Sequence, residues 1–319
     1  MSGIRVLVLY GGEGPEREVS LVSGKAVVEA ARNSGFKVID GQVCTTRDVI
    51  SLIHKGDFDV VFIALHGGWG EDGRLQALLE FYGVPYTGSM SEACMLAMNK
   101  ALSKYKFRRN EIPVPDGIEV DVRQGFEAAY RKVMEFYDAI GNEKMIIKPS
   151  GCGSTIGVST VTEKDDVSPA MNLAFKYDNL ILAERYIFGK ELAVTVWDDG
   201  KPKAFPIIEI VPKNSIYSYK AKYVPGGSEY IVPAQLDKSI AMTVQDVAVK
   251  AHLSLGCRQY SRVDIRLDLQ GTPYVLEVNT APGLTATSLV PKAAKAIGWS
   301  FEDLVFQLIT TAINRENHI

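Results

Sequence analysis

The residues with the clearest chemical purpose sit near the C-terminal end, on two short segments flanking Gln270-Gly271. Residues 261–268 and 273–279 read as strands, and the Gln-Gly pair reads as a two-residue hairpin turn. In that register Asp264 faces Glu277 and Arg262 faces Asn279. Alternation then puts Val263, Ile265, Leu267, Tyr274, Leu276 and Val278 on the opposite, apolar face. Directly opposed carboxylates repel unless something cationic lies between them. Oxygen donors from Asp264, Glu277 and Asn279 suit magnesium or manganese beside phosphate groups. The alternative is a solvated strand face, with Arg262 and Arg266 as counter-charges.

A second segment could handle phosphate. Lys148-Pro149-Ser150-Gly151-Cys152-Gly153-Ser154-Thr155-Ile156-Gly157 lies between two expected strands. Its glycines let backbone amides turn toward one point, its hydroxyls add donors, and Lys148 adds charge from the strand end. No Gly-Lys-Ser/Thr follows, so it is not a Walker loop; a plain hairpin turn with surface serines is the competing reading. Lys100, in an earlier helical stretch, carries no information by itself. The turn Gly11-Gly12-Glu13-Gly14 also joins a strand to a helix, but it lacks the third glycine of a dinucleotide fingerprint. Glu13, Glu16 and Glu18 crowd it and would repel a pyrophosphate. Those acids either favour the first helical turn or receive a cationic group such as a substrate ammonium.

The elements that must carry these groups follow from the apolar runs. Residues 4–10 read as a buried strand, followed by a helix with Val19, Val22, Ala26, Val27 and Ala30, closed by Gly35. Residues 60–65 repeat the strand before His66-Gly67-Gly68, and a helix is expected over 74–82. Buried strands joined by helices predict a parallel sheet covered on both faces, ending near Gly88. Residues 91–110 are helical in pattern, and Pro113 and Pro115 force an extended connector. A helix over 124–137, strands over 145–148, 158–161 and 179–184, and a helix ending near Lys176 make a small α+β unit. Strands over 191–197 and 202–210, a helix over 237–255, the hairpin and terminal helices complete the chain. Between Val211 and Pro233 the pattern is polar and aperiodic, which reads as a mobile lid. The expected domains are 1–88, 89–183 and 184–319.

Composition narrows the classes. Over 319 residues the hydrophobic fraction is 46%, the charged fraction 23% and the net charge -3, so disorder and a basic nucleic-acid surface are excluded. No apolar run is long enough for a membrane span or a signal-peptide core, and a cytoplasmic location is expected. Cys44, Cys94, Cys152 and Cys257 are widely spaced, as are the four histidines. Reduced, buried thiols are expected rather than zinc or disulfides, and any metal must use carboxylates.

Taken in order, these segments resemble the D-alanine–D-alanine ligase family of the ATP-grasp superfamily over nearly the whole chain. The matching stretches are Gly11-Gly12 with Glu16-Arg17-Glu18-Val19-Ser20-Leu21, Ala64-Leu65-His66-Gly67 with Gly70-Glu71-Asp72-Gly73, and Pro85-Tyr86-Thr87-Gly88. They continue with Lys148-Pro149-Ser150, Gly153-Ser154, Lys222-Tyr223, Arg262-Val263-Asp264, Glu277-Val278-Asn279-Thr280-Ala281-Pro282-Gly283 and Ser288-Leu289-Val290-Pro291. The resemblance implies an α/β, three-domain ATP-grasp fold with an N-terminal parallel-sheet domain, and ATP held between the central and C-terminal domains. It implies a two-step reaction: ATP phosphorylates the carboxylate of one D-alanine, and the amine of a second attacks the acyl phosphate to form D-alanyl-D-alanine for peptidoglycan.

Residue by residue, the resemblance gives Lys100, Lys148, Ser154 and Lys222 to the phosphates and Glu184, Arg185, Tyr186 and the backbone near Ile187 to adenine. Glu191 would hold the ribose, and Asp264, Glu277 and Asn279 would ligate two magnesium or manganese ions. Glu16 becomes the ammonium receiver, Arg262 and the Gly283 amide the oxyanion donors, and Ser288 the holder of the second carboxylate, with His66 and Leu289 lining the substrate. Ser154, Tyr223 and Glu16 would form a link closing the site, and Lys222-Tyr223 marks dipeptide formation. A homodimer is also implied. Thr155 stands where the family commonly has serine, and Tyr217-Ser218-Tyr219-Lys220 replaces acidic residues in the lid, which bears on closure rather than on the reaction. D-Alanyl-D-lactate or D-alanyl-D-serine formation and a non-catalytic ATP-binding module are the alternatives, and a nicotinamide oxidoreductase is disfavoured by the failed fingerprint.

Overall fold

The computed structural model describes residues 3–212 and 227–316. Strand β1 (Arg5–Gly11) lies between β2 (Lys37–Val43) and β3 (Val60–Ile63), all parallel. Tyr86 adds a single parallel bridge to Val61, so the segment ending at Gly88 closes this sheet without forming a further strand. Because successive side chains alternate, Val6, Val8 and Tyr10 face one core while Leu7 and Leu9 face another. The second core is closed by α2 (Thr46–Lys55) and α3 (Arg74–Phe81). The first is closed by α1 (Arg17–Asn33), α9 (Leu289–Ala296) and α10 (Phe301–Glu316), where Val290, Leu304, Val305, Leu308 and Ile309 are buried.

Helix α1 buries only part of the stripe its valines outline: Val27 and Ala30 are buried, Val19 and Ala26 half-buried. Val22 is exposed, whereas Ser20, Ser23 and Gly24 face inward. The small residues let the helix lie against Tyr10, and Ser20 Oγ donates to Ala64 O while accepting from the Gly11 amide.

Helices α4 (Ser91–Met98) and α5 (Lys100–Arg109) replace the single expected helix. The break is Asn99, extended in backbone, whose side chain caps α5 by accepting from the Leu102 amide. A four-stranded antiparallel sheet follows, in the order β4 (Gly117–Asp121), β7 (Leu180–Arg185), β5 (Met145–Pro149), β6 (Ser159–Val161). Helices α6 (Phe126–Ala139) and α7 (Val167–Phe175) cover one face over Met145, Ile147, Ile181 and Ala183. The other face presents Ile146, Lys148 and Glu184 to a cavity.

The third sheet is antiparallel, running β11 (Ser228–Ile231), β10 (Ile208–Pro212), β8 (Lys190–Asp198), β12 (Gln259–Leu267), β13 (Pro273–Asn279). The strand expected over 202–210 is split: β9 (Lys203–Ala204) and β10 both pair with β8, with Pro206, which has no amide donor, between them. Helix α8 (Lys238–Ser254) packs with α4 and α5 on the face carrying Leu192, Val194, Val263, Ile265, Val275 and Val278.

The hairpin differs from expectation near its turn. Arg262–Asn279, Val263–Val278 and Asp264–Glu277 pair as expected, but Ile265 pairs with Val275, leaving Leu276 as a bulge. Tyr274 and Leu276 therefore leave the apolar face, and Val275 takes their place. The turn is also longer than two residues, organised by Asp268, whose Oδ1 accepts from the amides of Gln270 at 2.9 Å and Thr272 at 2.7 Å. The thiols divide too: Cys94 and Cys257 are buried, but Cys44 is exposed and Cys152 half-buried.

The tightest helix–sheet approach gives a test. A Cβ on Gly24 would lie 2.1 Å from the Tyr10 ring. Helix propensity favours alanine by about 1 kcal/mol, but overpacking costs about 1–3 kcal/mol or more, so packing wins. Gly24→Ala should lower the urea midpoint; an unchanged or higher midpoint would show that α1 can slide away from β1.

Candidate functional site

Two cavities meet between the sheets. The larger, about 380 Å³, lies between the open face of the central sheet and the charged half of the third. Ile146, Lys148, Val158, Thr160, Glu184 and Ile187 line one wall, and Glu191, Asp264, Arg266, Leu276 and Glu277 the other. That is the size and composition of a small-molecule site. The smaller, about 100 Å³, is lined by Glu16, His66 and Glu71 from the N-terminal unit and Ser154 from the glycine-rich loop. Arg262, Asn279, Gly283, Ser288 and Leu289 complete it from the C-terminal part. Lys100, Asp264 and Glu277 line both cavities. They form the junction between them.

Each carboxylate at that junction holds a cationic nitrogen. Arg262 donates to Asp264 through Nε at 2.7 Å and its second terminal nitrogen at 2.8 Å, a two-bond fork. Lys100 Nζ lies 3.2 Å from Glu277 Oε2 and donates to Cys152 O at 2.6 Å. The opposed carboxylates are thus neutralised from two sides, one partner coming from the same strand and the other from α5. Arg266, also expected as a possible counter-charge to this pair, turns to Glu191 instead, at 3.2 Å. Asn279 Oδ1 accepts from the Ala281 amide at 3.1 Å.

The glycine-rich loop runs from β5 to β6 and is anchored to the start of α5. Ser150 O accepts from the Lys100 amide, and Ser150 Oγ bridges Asn99 and the Ala101 amide. Its hydroxyl is thereby committed to the anchor and does not face the cavities. Ser154 and Thr155 both take positive φ, 52° and 62°, a conformation that non-glycine residues adopt at a cost. Ser154 Oγ hydrogen-bonds to Glu16 Oε1, so the loop is held against the N-terminal unit. This contact separates the three acids of the first turn: Glu16 points into the small cavity, while Glu13 and Glu18 are exposed. Gly67 makes room for it, since a Cβ there would lie 2.5 Å from Glu16 Oε2. His66 Nε2 meets Ser23 Oγ at 3.0 Å and its Nδ1 lies 3.5 Å from Glu71 Oε1. Ser288 Oγ meets Thr285 Oγ1 at 2.8 Å and packs under Gly283.

At the far end of the large cavity lies a buried charge triad. Glu184 sits between Lys104 and Lys148, with N–O distances of 2.8 Å to each. Burial opposes its negative charge, but the two lysines outweigh that and hold its carboxyl well below the ordinary value. Burial pulls Lys104 the other way from its neighbour's attraction, and its pKa is lowered.

Comparison with known proteins decides the family. Residues 107–310 match the model described as D-ala D-ala ligase C-terminus, and residues 43–89 match D-ala D-ala ligase N-terminus. A D-alanine–D-alanine ligase of Halalkalibacterium halodurans is 39% identical over 316 residues, spanning 98% of this chain and 100% of that one. A crystal structure of D-alanine–D-alanine ligase from Bacillus anthracis superposes with a TM-score of 0.85 at 31% identity, covering 99% of both chains. The same enzyme complexed with ATP gives 0.84 at 29% identity, also covering 99% of both chains. The chain belongs to the D-alanine–D-alanine ligase family.

Of the residues singled out from the sequence of this family member, Glu16, His66, Ser154, Arg262, Gly283, Ser288 and Leu289 converge on the small cavity. Lys148, Glu184, Arg185, Tyr186, Ile187 and Glu191 converge on the large one. Lys100, Asp264 and Glu277 stand at the junction, and Asn279 faces the small cavity. Lys222, Tyr223 and residues 217–220 lie outside the described residues. Sequence reasoning did not single out Lys104 or Glu71 for roles here, and gave Arg266 only as a possible counter-charge to the opposed carboxylates. Lys104 had a signal: it is four residues after Lys100, hence on the same helical face.

The triad carries a pH signature. A carboxyl held below its unfolded value of 4.5 stabilises the fold fully above that pH, and the contribution is lost as pH falls further. Glu184→Gln strips both buried lysines of their counter-charge and should cost about 3–5 kcal/mol at pH 7. The deficit relative to the parent should shrink below pH 4.5, where the unfolded parent's carboxyl takes up its proton while the folded one stays ionised. Urea unfolding at pH 7, 4.5 and 3 measures it; a deficit independent of pH would mean that the loss is one of packing.

Proposed function

We propose that this chain joins two molecules of D-alanine into D-alanyl-D-alanine at the expense of ATP, making a precursor of peptidoglycan. The observation that carries the reading is the pair of cavities sharing Lys100, Asp264 and Glu277. A nucleotide in the larger can present its terminal phosphate to a small carboxylate in the smaller only across that junction.

In this reading adenine lies by Glu184, Arg185, Tyr186 and the Ile187 backbone, and the ribose by Glu191. Lys148, Lys100, Lys222 and the loop with Ser154 hold the phosphates. The ammonium of the first D-alanine meets Glu16, beside His66, and its carboxylate oxygen attacks the terminal phosphorus. The bond from that phosphorus to ADP breaks, and D-alanyl phosphate forms. The second D-alanine, its carboxylate held by Ser288 beside Leu289, attacks the acyl carbon through its neutral amine. Arg262 and the Gly283 amide face the oxygen where negative charge develops, inorganic phosphate leaves, and the amide bond remains. Tyr223, with Ser154 and Glu16, closes the site.

Asp264, Glu277 and Asn279 fit two magnesium or manganese ions. The donors are all oxygen, and each carboxylate already attracts a cation, Arg262 or Lys100. When bound, such ions supply positive charge to the phosphate oxygens. The proposed units are 1–88, 89–183 and 184–319, supported by one sheet lying largely within each. Among the described residues no helix is long and apolar enough to cross a membrane. Residence in the cytoplasm and a homodimer complete the reading and rest on the family.

The test is ATP turnover with D-alanine, L-alanine, D-serine and D-lactate in parallel. Release of ADP with D-alanyl-D-alanine as the product is expected, and activity should rise from pH 6 toward about 9 as the attacking amine, with a pKa of about 8, loses its proton. No ADP release with any acceptor would leave a nucleotide-binding module, and predominant D-alanyl-D-lactate would overturn the acceptor. Arg262→Met should lower kcat by about 10²–10³-fold; a parental kcat would remove Arg262 from the oxyanion site.

A further inference from the structure

We propose that Arg266 is a positioning residue for the nucleotide: it fixes the connector between the central and third sheets, and with it the groups meant for base and ribose. The inference rests on the nucleotide part of the reading above and adds a residue to it. Arg266 is on β12, opposite Glu191 of β8 in the strand pairing. Its guanidinium donates through Nε to Ile187 O at 3.1 Å, through one terminal nitrogen to Glu191 Oε2 at 3.2 Å, and through the other to Tyr186 Oη at 3.1 Å. Three acceptors within six residues are thus held by one rigid fork.

The surroundings leave the connector little choice of path. Gly189 passes so close to β12 that a Cβ would lie 1.9 Å from Leu267 O, and its φ of 136° favours glycine. The Tyr186 ring also has Lys144 Nζ 4.1 Å from its centroid, with the Arg266 guanidinium carbon at 5.1 Å. Fixing Ile187 O orients the peptide that follows, which borders the cavity at its base end. Holding Glu191 Oε2 fixes the orientation of that carboxylate on the cavity wall. Lysine at this position is a point charge and cannot reproduce three coplanar bonds.

A residue that only props up the fold would weaken all nucleotides alike; one that aims Glu191 must affect recognition of the ribose. Calorimetric binding of ADP and 2′-deoxy-ADP separates these. The unsubstituted chain should prefer ADP, and Arg266→Met should weaken ADP at least five-fold while 2′-deoxy-ADP weakens less, bringing the ratio toward one. Arg266→Lys should fall between. Glu191→Gln should lose the same preference, and the double variant should lose no more. A parental ADP to 2′-deoxy-ADP ratio in Arg266→Met overturns the inference, whether or not its melting temperature falls. Absence of any ADP preference in the unsubstituted chain overturns Glu191 as the ribose acceptor, and the inference with it. No ADP binding at all overturns the ligase reading as well. Binding with the expected ratios but no dipeptide from D-alanine supports the inference and overturns the ligase alone.

Discussion

Asp264 and Glu277 face each other across a strand pair, and much of the site is arranged around that repulsion. Two carboxylates in direct cross-strand register destabilise a sheet unless cations reach them. Here the cations come from different places: Arg262 from two residues earlier on the same strand, and Lys100 from the first turn of α5. The second requirement is the more demanding, because it obliges the helix to start at that point. Asn99 ends α4, caps α5 and bonds Ser150, while Ser150 O takes the Lys100 amide. Neutralising one carboxylate therefore ties the helix, the glycine-rich loop and the third sheet to a common point.

One turn further along α5, Lys104 makes the second connection, to Glu184. Residues four apart share a helical face, so the same helix reaches the junction with Lys100 and, with Lys104, Glu184 at the far end of the large cavity. Buried ion pairs are weak evidence for net stability, because desolvation offsets much of the attraction. Their more evident consequence here is geometric. Lys148 and Glu184 belong to the central sheet, and a displacement of that sheet relative to α5 would leave the fully buried Lys104 without its counter-charge.

How much of this was readable beforehand depends on how local each cause is. The Asp264–Glu277 register followed from alternation of apolar and charged residues, which holds at that end of the hairpin. It failed toward the turn because the Leu276 bulge is fixed by Asp268 gathering the turn amides, a side-chain effect that periodicity does not carry. Strand β2 and helix α2 were passed over because β2 is an edge strand with few buried residues, so no apolar run marks it. Residue type alone could not choose Glu16 over Glu13 and Glu18, and only the family resemblance pointed to it; in the structure its contact with Ser154, 138 positions away, distinguishes it. Lys104 and Arg266 act through partners 80 and 75 to 80 positions distant, and sequence spacing within one element says nothing of those.

The cores explain which parts can move without disturbing the others. Helix α10 and the apolar halves of β8 and β12 share one core with the N-terminal sheet, through Trp197, Tyr260 and Leu308 among others. Glu16, Gly283 and Ser288 therefore stand on a common apolar foundation. The central sheet instead has a core of its own, built from residues 120–183. Its ties at the site are polar: Glu16 to Ser154, Lys100 to Cys152, Lys104 to Glu184, and Arg266 to Tyr186 and Ile187. Polar interfaces between separately cored units are the kind that rotate as rigid bodies. An acyl phosphate has to be shielded from water, while a nucleotide has to enter and leave. In the proposed reading, a unit that carries the glycine-rich loop on its own core, closing on a rigid pair that carries Glu16, Gly283 and Ser288, would meet both demands with both cores left intact.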